Sequence, residues 1–333
     1  MNDAGFRIVT SRTPLRITFT GGGTDLPEYY RNYGPGAVIS ATVDRYIYVT
    51  IAKNFRPDEI RVSYSRTENA IKNVNDIQHP TVREALKLLG IESGIQIISI
   101  TEIPAGGTGL GSSSSFLVGL LNALHTWIGE TVSPRTIAEE SVKIERNILG
   151  EPGGKQDQYI AAFGGIQLME FLQDEEVNLS RIPLRGEDLE RLNERLMIFY
   201  TGVERMSTNI HKSQSKHIPE MANEYNRMRD IAYETYNSLK ERKFDRLGEL
   251  MNENWLIKRR LTSGITDGII DKYYNKAIEA GAEGGKLMGA GGGGFLIFSA
   301  PLEKHNSIEQ AMSGLVRHRF KIENLGSRIV YLE

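Results

Sequence analysis

Apolar residues along the chain follow two periods. In the first half AVISATV, RYIYVTIAK and EIRVSYS, rich in β-branched and aromatic residues, predict strands. TVREALKLLG and PRTIAEESVKIERNILG repeat their apolar positions at helical spacing, and Ser133 before Pro134 marks the start of the latter helix. GIQIISITEI reads as a further strand and FLVGLLNALHTW as a helix, with PAGGTGLGSSSS between them. Strands resume at GIQLMEF. A charged stretch from Glu187 to Arg195 then leads into the short apolar strand LMIFYTG, expected to open a second domain and to divide the chain into 1–185 and 186–333. Between His217 and Leu261 lie two long amphipathic helices, PEMANEYNRMRDIAYETYNSLKER and FDRLGELMNENWLIKRRL. The end, EGGKLMGAGGGGFLIFSA followed by a helix and a last strand, reads as an α+β sandwich.

Glycine interrupts this pattern in clusters, at 21–23, 106–111, 153–154 with 164–165, and 284–294. Each is a candidate close approach of backbone to something else, or a tight turn. The stretch from Pro104 through Gly106, Gly107, Gly109 and Gly111 to Ser112, Ser113 and Ser114 joins a strand to a helix N-terminus. Unpaired N–H groups and the helix dipole favour an anion there, so this loop is expected to bind phosphate. A Walker loop would carry Lys-Ser or Lys-Thr directly after Gly111, and this chain has Ser112 and Ser113 instead. Something other than a loop lysine must offset the phosphate charge.

Composition narrows the partner without naming it. The 333 residues exceed the size at which one core stops growing, and 40% hydrophobic with 25% charged residues is ordinary for a globular protein. A formal net charge of -2 gives no reason to expect nucleic acid or a membrane surface as partner. With no cysteine, disulfides, thiolate catalysis and cysteine-held metals are excluded. The start, MNDAGFRIVTSRTP, lacks a basic segment followed by an apolar one, and a cytoplasmic location is the expectation.

Two segments carry candidate chemistry. In RTPLRITFTGGGTDLPEYY, Arg16 sits in a strand and Asp25 follows the glycine turn, so a cation and an anion could converge on one ligand; a surface ion pair is the plainer reading of Arg16. In KIERNILGEPGGKQDQYIAAFGG, Glu145 lies at a helix end and Asp157 follows a Pro-Gly-Gly turn, and either carboxylate could be merely solvated. Metal-assisted phosphoryl transfer uses such a set: an oxygen ligand and a hydroxyl for Mg²⁺, a carboxylate near the acceptor hydroxyl, and a cation. His211 and His217 flank KSQSK without a partner at metal-ligand spacing.

A Pro-x-Arg strand with Gly-Gly-Thr-Asp, then Pro-x-Gly-x-Gly-Leu-Gly-Ser-Ser, then Lys-x-x-Gly-Ala-Gly-Gly-Gly-Gly, in this order and over nearly the whole chain, resembles the GHMP kinases. The resemblance implies an α+β two-domain fold, with a ribosomal S5 domain 2-like N-terminal domain, a ferredoxin-like C-terminal domain and the active site between them. Within the family, RTPLRITFTGGGTDLPEYY with YTGVERMS is most similar to the D-glycero-D-manno-heptose 7-phosphate kinases. ATP and Mg²⁺ are the implied cofactors, and a sugar phosphate acceptor, phosphorylated at its anomeric hydroxyl, is the implied partner. Another anomeric sugar kinase, acting on fucose, a uronic acid or an N-acetylhexosamine, is the alternative. A non-catalytic sugar sensor of the same fold is the rival from another class, and it predicts loss of residues that this chain retains.

Carried over by motif, the resemblance puts phosphates on Gly106–Gly111 and the helix start, and Mg²⁺ on Ser113 (or Ser112) with Glu145, so that the metal takes the lysine's place. It makes Asp157 the acceptor-side carboxylate and Arg16 the cation beside it. Gly22, Gly23, Thr24 and Asp25 would face the sugar, as would Gly291 and Gly292. Galactokinase-like members have Gly-Glu-His ahead of Thr-Asp, so Gly22 and Gly23 disfavour plain galactose. The Glu145–Asp157 interval is slightly long against the mevalonate-type pattern, and the neighbouring acid Glu151, past the helix end, fits less well. A 7-phosphate needs cations far from Asp157, with Arg12 and Arg31 as candidates and Arg205 as first choice.

Overall fold

The computed structural model describes residues 6–104, 107–203 and 208–333. The first part of the chain runs β1 (Ile8–Thr20), α1 (Pro27–Tyr33), β2 (Gly36–Lys53), β3 (Ile60–Ser63), β4 (Thr67–Ile71), α2 (Pro80–Leu88), β5 (Ile95–Thr101), α3 (Ser112–Trp127), α4 (Pro134–Val142), α5 (Gln156–Phe163), β6 (Ile166–Phe171) and β7 (Val177–Ile182). There follow α6 (Gly186–Arg195), β8 (Leu196–Tyr200), α7 (Thr208–His217), α8 (Ala222–Lys240), α9 (Arg246–Lys258), α10 (Gly268–Glu279), β9 (Gly284–Leu287), β10 (Phe295–Ser299), α11 (His305–Ala311), β11 (Val316–His318) and β12 (Arg328–Leu332).

Two sheets result. The larger runs β12-β1-β2-β5-β3-β4 and forks at β2, whose first half also pairs with β6, itself followed by β7. AVISATV and RYIYVTIAK, read separately from sequence, are one 18-residue strand, in which Asp44 and Arg45 form a bulge that shifts the register with β1 without ending the strand. The smaller sheet is antiparallel throughout, in the order β11-β8-β10-β9. The charged stretch before β8 is the helix α6. At the C-terminus the expected division does not follow the sheets, since β12 returns to pair with β1.

The amphipathic α8 and α9 bridge the two sheets. Tyr225, Met228, Ile231 and Leu239 are buried on α8, which packs on β1 and β2, while Leu247, Met251 and Trp255 are buried on α9, which packs on β9. From Leu15 onward every residue of β1 is buried, so polar side chains there have no solvent face and must point into a ligand space or a polar network. The Ser133 hydroxyl caps α4 by accepting the Thr136 N–H at 3.1 Å. That helix continues into a π-helical turn over Lys143–Ile148. No helix among the described residues is long and apolar enough to cross a membrane.

Candidate active site

The glycine loop after β5 ends at Gly111, the left-handed N-cap (φ 73°) of α3, and no side chain caps the helix. Its first N–H groups are therefore open to an anion. The GAGGGG run approaches this loop rather than a ligand: a Cβ on Gly109 would lie 2.6 Å from the Met288 carbonyl, and one on Gly289 would lie 2.6 Å from the Gly109 Cα. Only glycine permits the two loops to cross at that distance. Gly291 packs on the Ile265 backbone, and the Gly292 N–H donates to the Ile265 carbonyl at 2.9 Å. Gly291 and Gly292 are held against Ile265, while Gly289 and Ala290 of the same run line the cleft.

Arg16 joins the loop to the acceptor side. Its backbone N–H donates to the Leu110 carbonyl (3.1 Å), its Nη1 to the Gly109 carbonyl, and its Nε and Nη2 to the two oxygens of Asp157, each at 2.7 Å. The Arg16 side chain is 6% exposed and that of Asp157 21%, so this fork is a buried ion pair whose carboxylate still meets the cleft. A Cβ on Gly111 would stand 3.2 Å from Asp157 Oδ2, which sets the helix start directly beside the carboxylate.

Beside the fork lies a polar cleft between the two sheets. Asp25 is buried and accepts the Gly23 N–H (3.0 Å), the Gln156 N–H (3.3 Å) and Gln156 Nε2 (3.2 Å). Burial, offset in part by the Gly23 N–H and reinforced by the charge of Asp157, raises its pKa above the usual carboxylate value. Gln156 Oε1 in turn accepts from Thr18 and Ser40. Gly22 and Gly23 line the cleft, but Thr24 does not: its buried hydroxyl donates to the Gly21 and Ala37 carbonyls and closes the turn. Its expected contact with the sugar is corrected accordingly. Gln214 Nε2 in the cleft wall and Tyr225 Oη, close by Gly23, are buried without a hydrogen-bond partner among the described residues.

Glu145, on the π turn, is buried and accepts from Ser114 Oγ (2.9 Å) and Gln158 Nε2, with Arg146 Nη2 at 3.6 Å. Burial, opposed by Arg146, raises its pKa. On α3 Ser114 turns inward while Ser113 is exposed, so the hydroxyl in contact with Glu145 is that of Ser114 and not that of Ser113 or Ser112. Gln158 Oε1 beside it is buried without a partner among the described residues. A carboxylate, a hydroxyl and an orphaned amide oxygen suit a hard divalent cation that keeps most of its remaining ligands from phosphate and water. No cluster of three or more His, Cys, Asp or Glu side chains suited to a metal occurs among the described residues. Glu151 is exposed and does not compete for this role.

Sequence reasoning missed several residues of the cleft. Lys258, at the end of α9, donates from Nζ to the Gly289 carbonyl (2.9 Å), and burial pushes its pKa down to about 8. Lys286, on β9, is 1% exposed and also lines the cleft. Arg146 closes the far side, bonded to the Gly154, Glu151 and Pro152 carbonyls. Lys286 heads the Lys-x-x-Gly-Ala-Gly-Gly-Gly-Gly motif, of which only the glycines were expected to face a ligand. Arg12 stacks over Tyr46 and Arg31 pairs with Glu175, and neither lines the cleft. Gly106 and Arg205 lie outside the described residues.

The family model for the GHMP kinases N terminal domain matches residues 77–165 and that for the GHMP kinases C terminal region residues 236–318, together just over half of the chain. A D-glycero-alpha-D-manno-heptose 7-phosphate kinase of Campylobacter jejuni is 28% identical over 91% of this chain and 93% of its own length. A mevalonate kinase of Thermococcus sibiricus is also 28% identical, over 91% of this chain and 92% of its own. In fold, the chain superposes on the crystal structure of a D-glycero-D-manno-heptose 1-phosphate kinase from Bacteroides thetaiotaomicron with a TM-score of 0.81, at 23% identity, covering 98% of this chain and 99% of that one.

Proposed function

The chain belongs to the GHMP kinases and is an ATP-dependent kinase, and from that premise we propose that it transfers the γ-phosphoryl group of ATP to the anomeric hydroxyl of D-glycero-D-manno-heptose 7-phosphate. The product is the 1,7-bisphosphate, a step of nucleotide-heptose biosynthesis. The observation that carries this reading is the buried Arg16–Asp157 fork set between the glycine loop and a polar, cation-rich cleft. Arg16, Arg146, Lys258 and Lys286 line that cleft against Asp25 and Asp157, an excess of positive charge that suits a site where a phosphoryl group and a sugar meet. The Campylobacter relative's name supports the same substrate.

In this mechanism Asp25 accepts hydrogen bonds from the sugar's hydroxyls, and the orphaned Gln214 and Tyr225 groups gain partners when the sugar enters. The anomeric hydroxyl lies against Asp157, whose oxygens keep lone pairs beyond the Arg16 bonds. The acceptor oxygen bonds to the γ-phosphorus as the bond to the β,γ-bridging oxygen breaks; the hydroxyl proton passes to Asp157, and ADP leaves. Arg16, bonded to both the Gly109 carbonyl and Asp157, keeps loop and carboxylate in fixed relation. Mg²⁺, held through Glu145 and the hydroxyls at the start of α3, would neutralise phosphate charge. Arg205 remains the proposed contact for the 7-phosphate.

A coupled ADP-release assay with ATP and Mg²⁺ across heptose 7-phosphate, free heptose, fucose, galactose and mevalonate tests the assignment. Turnover confined to the heptose phosphate is the expected result; preference for fucose or mevalonate would reassign the acceptor.

A further inference from the structure

The loop lysine absent after Gly111 leaves a charge to be met, and the opposite half of the chain supplies it. Lys286 sits two residues before Met288, whose carbonyl touches Gly109, and Lys258 holds the carbonyl of the next residue, Gly289. Arg16, whose charge acts on both lysines, bonds the Gly109 carbonyl. The cluster therefore abuts the glycine loop from the C-terminal side. The Lys286 ammonium has no hydrogen bond or ion pair among the described residues, although the residue is 1% exposed and faces the cleft. Burying a cation without a carboxylate is costly, and such a group persists where an anion comes to it.

We propose that Lys286, backed by Lys258, binds the terminal phosphate of the nucleotide and so performs, from strand β9, the task of the missing loop lysine. The inference rests on the kinase assignment and not on the identity of the sugar. The charged groups facing Lys286 are Lys258 from α9, Arg16 from β1 and Asp25 from the first glycine turn. Burial, then the charges of Lys258 and Arg16, hold its pKa well below the ordinary lysine value, with Asp25 opposing. A phosphate dianion placed at Nζ acts in the opposite direction, favouring the ammonium. Nucleotide binding is therefore linked to proton uptake from buffer by Nζ, with no other bond changed.

The test is calorimetry of the whole protein at pH 8, with Mg²⁺, in two buffers of different ionisation enthalpy. At that pH the phosphates are already ionised. The β,γ-imido analogue of ATP is expected to draw a fraction of a proton up to one per site, and ADP, lacking the third phosphate, essentially none. Lys286→Met should abolish the uptake and lower kcat/KM by about 10²-fold, while its thermal midpoint without ligand stays equal to or above wild type, because a buried amine with no partner among the described residues is replaced by an apolar side chain. Equal uptake with the analogue and with ADP overturns the proposal, as does no uptake by wild type. Uptake with heptose 7-phosphate alone but not with the analogue also overturns it, giving Lys286 to the acceptor. Because the wild-type comparison needs no variant, poor folding of Lys286→Met would not blunt the test.

Discussion

Replacing Gly154 by alanine would move Asp25 without touching its chemistry. The new Cβ would stand 1.8 Å from Asp25 Oδ2 and 2.8 Å from the Asp25 carbonyl oxygen, and the backbone of Gly154 is not left-handed, so the whole cost is steric. Relief requires the carboxylate to withdraw by more than about 1 Å, enough to break bonds whose donor–acceptor range is a few tenths of an ångström wide. The bonds lost are those from Gly23 and Gln156 and, in the bound state, those from the sugar. Each hydrogen bond to a charged group contributes about 1.5 to 3 kcal/mol. Losing two sugar hydroxyl bonds then lowers kcat/KM for the acceptor by roughly 10² to 10⁴-fold. The ATP KM should change by less than about threefold, because the glycine loop does not contact Gly154. Initial rates with each substrate varied in turn supply the numbers. Gly268→Ala, whose Cβ meets open space, is the control. A folded Gly154→Ala enzyme with unchanged acceptor kcat/KM would remove Asp25 from the sugar site.

Asp157→Asn should leave nucleotide binding intact and lower turnover by about 10²-fold or more; wild-type turnover would take Asp157 out of the mechanism. Glu145→Gln should raise the Mg²⁺ concentration for half-maximal activity by about tenfold or more, and an unchanged Mg²⁺ titration would exclude Glu145 as a metal contact. His125 is buried, bonded at 2.7 Å to both Glu140 and Glu130, and the Glu140 bond leads in raising its pKa above 6.5. A raised pKa means that the folded state binds the proton more tightly, so this stabilisation is complete below about pH 6.5 and fades as pH rises through the folded value. His125→Gln should therefore lower the thermal midpoint most at pH 6 and least at pH 9; a constant difference would show that the pair does not titrate.

Local features were legible in the sequence and long-range ones were not. Ser133 and Pro134 announce a helix because capping is a property of adjacent residues, and PAGGTGLGSSSS announces a strand-to-helix turn for the same reason. The helical spacing between His217 and Leu261 gives α8 and α9 within a few residues of their ends. GAGGGG shows only that something approaches closely; that the neighbour is the other glycine loop follows from tertiary packing. The inward turn of Ser114 depends on where α3 begins, which the run of four serines obscures. Lys258, Gln214 and Tyr225 come from helices far along the chain from Asp25, and no local spacing couples them. The return of β12 to β1 is a pairing across nearly the full length of the sequence.

The central claim is that the cleft beside Arg16 and Asp157 puts a phosphate on the anomeric oxygen of a heptose that already carries one at position 7. Proton-coupled phosphorus NMR of the reaction with ATP, Mg²⁺ and D-glycero-D-manno-heptose 7-phosphate reads this directly. The account predicts a new phosphate resonance coupled to the anomeric proton, with the 7-phosphate resonance retained and ADP formed in equal amount. A new phosphate coupled to any other sugar proton, or equal efficiency on the unphosphorylated heptose, would contradict it.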